Sequence, residues 1–135
     1  MTSELRVDNL KGSTTGGSIS VLGEGTSATT NLQQGLAKAF LTYNNAGSIQ
    51  DSFNMGSVTD SGTGNYVTVF TNNLSNALYV TAGTTIGGNG NQAVLDSHQT
   101  AGVKATTGYE VGVSDNNNAD QDNTKAQTAD FGDLA

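Results

Sequence analysis

Between Ser52 and Thr71 the chain alternates apolar and polar positions in two runs, SFNMGSVTD (52–60) and NYVTVFT (65–71). A period of two places Phe53 and Met55 on one face of an extended strand, and Tyr66 and Val67 open a second run rich in β-branched and aromatic residues. The pattern predicts a β-hairpin. Its turn is Asp60, Ser61, Gly62, Thr63 and Gly64, in which the two glycines accept positive φ without a Cβ clash and so reverse the chain.

The same reading extends along the chain. In 36–44, Ala37, Ala39, Leu41 and Tyr43 share one face of a strand. A helix over 31–41 is the alternative, from Leu32, Leu36 and Phe40 at a spacing of four, but Gly35 interrupts it and the strand is preferred. Ile49 begins the strand leading into the main hairpin. Leu78 and Val80 mark a further strand, Tyr109, Val111 and Val113 the next, and Gln127, Ala129 and Phe131 the last. About seven or eight short strands punctuated by turns predict an all-β fold, an antiparallel β-sandwich with jelly-roll-like character, over residues 31–135.

Residues 1–30 read as an extended β arm. Leu5 and Val7 lie opposite Glu4, Arg6 and Asp8, then GSTTGG (12–17) turns the chain into SISVL (18–22), where Ile19 and Val21 align. Two such strands bury too little to offset the ordering of their backbone, so the arm needs partners. Leu5, Val7, Leu10, Ile19, Val21 and Leu22 are its candidate oligomerisation or attachment residues.

The segment LAKAFLTYN (36–44), the SFN-apolar strand, the turn from Thr59-Asp60 to Gly62-Thr63-Gly64 and the Tyr/Val/Phe strand after it resemble a domain of fibre and appendage proteins of tailed bacteriophages, especially those of marine bacteria. The opening TSELRVDNL and the closing FGDLA (131–135) are similar to the two ends of such proteins, while Phe40 stands where that family often has Trp. The resemblance implies a trimeric structural part of a virion, assembled in the host cytoplasm, with other virion proteins as partners and host-surface glycans as candidate ligands.

Composition points the same way. Gly, Ser, Thr and Asn supply 64 of 135 residues, and Pro, Cys and Trp are absent, which disfavours long helices and excludes disulfides and thiolate metal sites. Leu, Ile, Val and Phe make up only about a fifth of the chain, at the edge of the disordered range, so a monomer would have a thin core. Burial between identical chains resolves the shortage. No run of eighteen apolar residues and no signal-peptide pattern occurs, so neither membrane insertion nor export is expected.

The net charge is −7, and residues 105–135 hold Glu110, Asp115, Asp120, Asp122, Asp130 and Asp133 against Lys125 alone. Such a surface repels phosphate backbones, so nucleic acid is not an expected partner. GEGTSA (23–28) and GNGNQA (88–93) fit the dinucleotide glycine pattern, but neither opens a recognisable βαβ unit. His98 sits beside Ser97 and Asp96, an adjacency that sends alternate side chains to opposite faces of a strand rather than into a relay. In SDNNNADQDN (114–123), Asp120 occupies the position of the EF-hand turn glycine and Ala126 that of its final acid, so a polar hairpin loop is expected. No cofactor is expected.

These readings converge on a non-enzymatic virion structural protein, a trimeric surface appendage whose loops (60–65, 83–92 and 114–125), with exposed Tyr and Asn, face the environment and contact host sugars. The rival is a capsid decoration protein binding the head at threefold positions. A small carbohydrate-active enzyme using Glu110 or the aspartates is a third, less favoured reading.

Overall fold

The computed structural model describes residues 4–13, 19–22, 29–87, 94–96, 104–115, 117 and 119–134. Among them there is no α-helix, and every strand pairs antiparallel. The chain divides into two units, Met1–Leu36 and Ala37–Ala135.

In the first unit, β1 (Ser20–Leu22) pairs with β2 (Thr29–Asn31). The arm therefore pairs differently from expectation. Residues 4–13 form no strand, and β1 takes Thr29–Asn31 rather than the Leu5–Val7 segment as its neighbour. After β2, the Asn31 side chain accepts from the Gln33 and Gln34 amides and closes a turn, so the helical alternative over 31–41 does not form.

The second unit holds two four-stranded sheets. One runs β4 (Ile49–Phe53), β3 (Ala39–Asn44), β10 (Asn123–Phe131), β7 (Val80–Gly87). The other runs β5 (Met55–Gly62), β6 (Asn65–Phe70), β9 (Gly108–Ser114), β8 (Val94–Asp96). The sequential pairs β3–β4, β5–β6 and β8–β9 are neighbours in their sheets, whereas β10 inserts between β3 and β7.

The alternation read in β3 is present, with Ala39, Leu41 and Tyr43 each at most 1% exposed. They share one core with Ala126 of β10, Tyr66 and Phe70 of β6, and Tyr109, Val111 and Val113 of β9. Antiparallel sheets with one apolar face each gain stability by turning those faces together, the sandwich-like solution.

Three expected strands shift. The run 52–60 is not one strand, because Asn54 adopts φ 57° and passes the chain from β4 in one sheet to β5 in the other. Phe53 and Met55 therefore part company, Phe53 being 52% exposed and Met55 buried. Asn54 holds this conformation by donating from Nδ2 to the Lys38 and Asn72 carbonyls and accepting from the Asn72 amide. Asparagine tolerates left-handed backbone because its short polar side chain finds local partners there.

The strand expected at Leu78 and Val80 begins at Val80, and it is Tyr79 that turns inward while Leu78 is 89% exposed. The Leu78 amide donates to the Asn76 side chain, an Asx turn that sets the phase of the chain entering β7. Since β7 continues to Gly87, part of the expected 83–92 loop is strand, and 88–92 lies outside the described residues. On β10 the inward set is Ala126, Thr128 and Asp130, the alternate set to Gln127, Ala129 and Phe131. Segment 114–123 is likewise not a hairpin loop, since β9 and β10 belong to different sheets.

Candidate functional site

All four tyrosines lie in the core, each at most 4% exposed, so the expectation of exposed Tyr in sugar-contacting loops is corrected. Aromatic rings supply the area that the scarce aliphatic residues do not. Phe70 contacts the Tyr79 and Tyr109 rings at centroid distances of 5.5 and 5.7 Å, within the range of favourable aromatic pairs. Their hydroxyls are mostly spent inside the fold: Tyr79 donates to the Gly108 carbonyl at 2.9 Å, and Tyr109 shares a 2.7 Å hydrogen bond with Thr128 on the opposite sheet. Burial pushes every phenol upward; for Tyr66, with Asp122 and Asp60 adding repulsion, it reaches about 12. These hydroxyls stay protonated near neutrality and serve as packing and hydrogen-bonding groups.

The same layer buries a carboxyl. Asp130 is 0% exposed; its Oδ1 accepts from Thr81 at 2.6 Å, and its Oδ2 has no hydrogen-bond partner. Desolvation raises its pKa, with Thr81, Tyr109 and the Lys104 charge pulling the other way. Lys104 itself donates to the Tyr79 carbonyl at 2.9 Å and lies 4.8 Å from that ring's centre. The sequence reading places Asp130 among solvated acids, because alternation anchored on Phe131 sets it on the outward face of the strand; the structure reverses that phase.

At one end of the second unit, three connections meet. The Gly64 amide donates to Asp122 at 2.9 Å, the Val113 amide donates to the Gly64 carbonyl at 2.7 Å, and the Tyr66 hydroxyl reaches the Asn45 carbonyl at 3.1 Å. Gly62 and Gly64 have φ of 131° and 68°, as the hairpin reading requires. A Cβ on Gly64 would stand 2.4 Å from the Val113 carbonyl oxygen. The carboxylates here serve the backbone: Asp60 accepts from the Gly62 amide, and Asp115 from the Asn117 and Ala119 amides, which lowers its pKa. Among the described residues no three His, Cys, Asp or Glu side chains gather where they could hold a metal ion.

The six arm residues fall in the first unit. Leu5, Val7, Leu10, Val21 and Leu22 are 49–76% exposed, and Ile19 is half-buried. GEGTSA, GNGNQA, Ser97 and His98 lie outside the described residues. Among the described residues no helix is long and apolar enough to cross a membrane.

No protein-family model, curated protein sequence or solved structure matches this chain.

Proposed function

We propose that this chain is a non-enzymatic structural protein of a tailed-phage virion, a homotrimeric surface appendage built on a β-sandwich and attached to other virion proteins through its N-terminal arm. The observation that carries this reading is the arm itself. Leu5, Val7, Leu10, Val21 and Leu22 are exposed to solvent, and the two three-residue strands of the first unit, Ser20–Leu22 and Thr29–Asn31, bury little of their own. An ordered role for such a segment requires surfaces from other subunits to cover it. The all-β second unit, packed around buried tyrosines and without disulfides, suits a durable particle component.

Immunogold labelling of purified particles tests the proposal, with gold expected on tail fibres or similar appendages. Label on the head at hundreds of copies per particle would instead select capsid decoration, for which a separate arm unit gripping a capsid surface is equally suited. Absence from particles altogether overturns both, and release of reducing sugar from host envelope polysaccharide overturns the non-enzymatic assignment.

A further inference from the structure

The β4-β3-β10-β7 sheet turns one face to the core and the other outward. On the outward face the strand registers set Phe53, Phe40, Ala129 and Ala82 side by side across all four strands, with Phe131 opposite Val80 in the adjoining row. Phe40 and Phe53 stack with ring centroids 6.0 Å apart, yet remain 39% and 52% exposed. Val80 is 62% exposed. A contiguous apolar row of this kind on a soluble chain marks a surface that something covers.

Charge identifies the occupant. The chain as a whole carries −7, so two copies repel one another at most approaches. This face is different: its outward positions on the four strands include only two charged residues, Asp51 on β4 and Lys125 on β10, and they cancel. By contrast, the outward row of the other sheet through Thr59 and Val67 carries Glu110 without a basic residue. Asp51 and Lys125 stand on opposite halves of their sheet in adjoining rows, and among the described residues neither has an ion-pair partner. A surface whose two halves carry opposite charges complements a second copy of itself.

We propose that this outward face is the inter-subunit surface and that its occupant is another copy of the same chain, packed head to tail about a threefold axis. The β4–β3 half of one subunit lies against the β10–β7 half of the next, which brings Asp51 to the partner's Lys125 and covers the Phe40–Phe53 pair. Such a heterologous contact closes into a three-membered ring when each step is a rotation of one third of a turn, each subunit then using both halves. The inference rests on the trimeric reading above and adds to it the surface and the pairing.

Sedimentation of the full chain over a concentration series tests both. Asp51→Lys or Lys125→Asp alone places like charges in contact and is expected to raise the concentration of half-dissociation by about tenfold or more. The double reversal D51K/K125D restores the pairing and is expected to return it to within about threefold of the parent. Asp51→Asn, nearly equal in volume, gives a smaller loss and guards against misfolding of the reversed variants. A trimer indifferent to all four variants overturns the assigned face while leaving trimerisation intact. A parent chain that sediments as a 13.7 kDa species at every concentration overturns both.

Discussion

Tyr43 and Tyr66 project from facing sheets and meet edge to face with ring centroids 5.0 Å apart, yet only one has placed its hydroxyl. Tyr66 donates to the Asn45 carbonyl, whereas the Tyr43 hydroxyl is buried without a partner. A buried polar group costs free energy unless it is bonded. Tyr43→Phe is therefore expected to leave stability unchanged or raise it by up to about 1 kcal/mol, while Tyr66→Phe lowers it by about 1 kcal/mol. Urea unfolding of the two variants measures the difference. Truncating either ring to Ala is expected to cost about 3–5 kcal/mol, as for other large buried aromatics.

The buried carboxyl of Asp130 makes stability depend on pH in a particular direction. Its folded pKa is raised above the ordinary 3.8, so its contribution is fully present below that value and is lost as pH climbs through the higher folded value. Asp130→Asn removes the titration while keeping an acceptor for Thr81. The variant is expected to match the parent near pH 3.5 and to exceed it at pH 7 by on the order of 1–3 kcal/mol. Parallel stability curves for the two proteins from pH 3.5 to 7 would refute this.

The two turn glycines separate strain from collision. Gly62 has positive φ with open space where a Cβ would go, while Gly64 combines φ 68° with a Cβ position 2.4 Å from backbone oxygen. Gly62→Ala is expected to cost about 1 kcal/mol from the backbone alone. Gly64→Ala is expected to cost at least about 2–3 kcal/mol, since the Val113 backbone must also move. Thermal midpoints rank the pair.

At the junction between sheets, Asn54 combines a left-handed backbone with hydrogen bonds to Lys38 and Asn72. Asn54→Gly keeps the conformation and loses the bonds; Asn54→Ala loses both. The expected costs are about 1–2 and about 2–4 kcal/mol respectively, and equal midpoints for the two variants in urea would show that the backbone conformation contributes nothing.

Much of the sheet structure is legible in the residues themselves. Alternation marks β3 correctly because only one of its faces is buried, Tyr109, Val111 and Val113 mark β9 by their apolar spacing although its other face is largely buried too, and Gly62 and Gly64 announce their turn because few other residues adopt that backbone. Asn54 is silent in sequence: its conformation depends on partners sixteen and eighteen positions away, so the unbroken alternation through it looks like one strand. At Leu78 and Tyr79 either phase offers an apolar residue to the core, and an Asx turn decides between them. Asp130 escapes notice because burial of a carboxylate reverses its ordinary preference. The arm residues are readable as apolar, but the pairing of Ser20–Leu22 is set by Thr29–Asn31, a polar stretch with no periodic signal.

The placement of β10 has a consequence for how the molecule comes into being. Gln127 pairs with Thr42, and its side chain reaches the Thr42 hydroxyl across 85 positions of sequence. Until that distant stretch arrives, β3 and β7 have no common neighbour and their ladders stand open. Closing so long a loop slows maturation toward the millisecond-to-second range of nonlocal β topologies and leaves newly made chains vulnerable to mispairing. Mispairing of this strand between crowded nascent copies is the failure that such a late closure exposes.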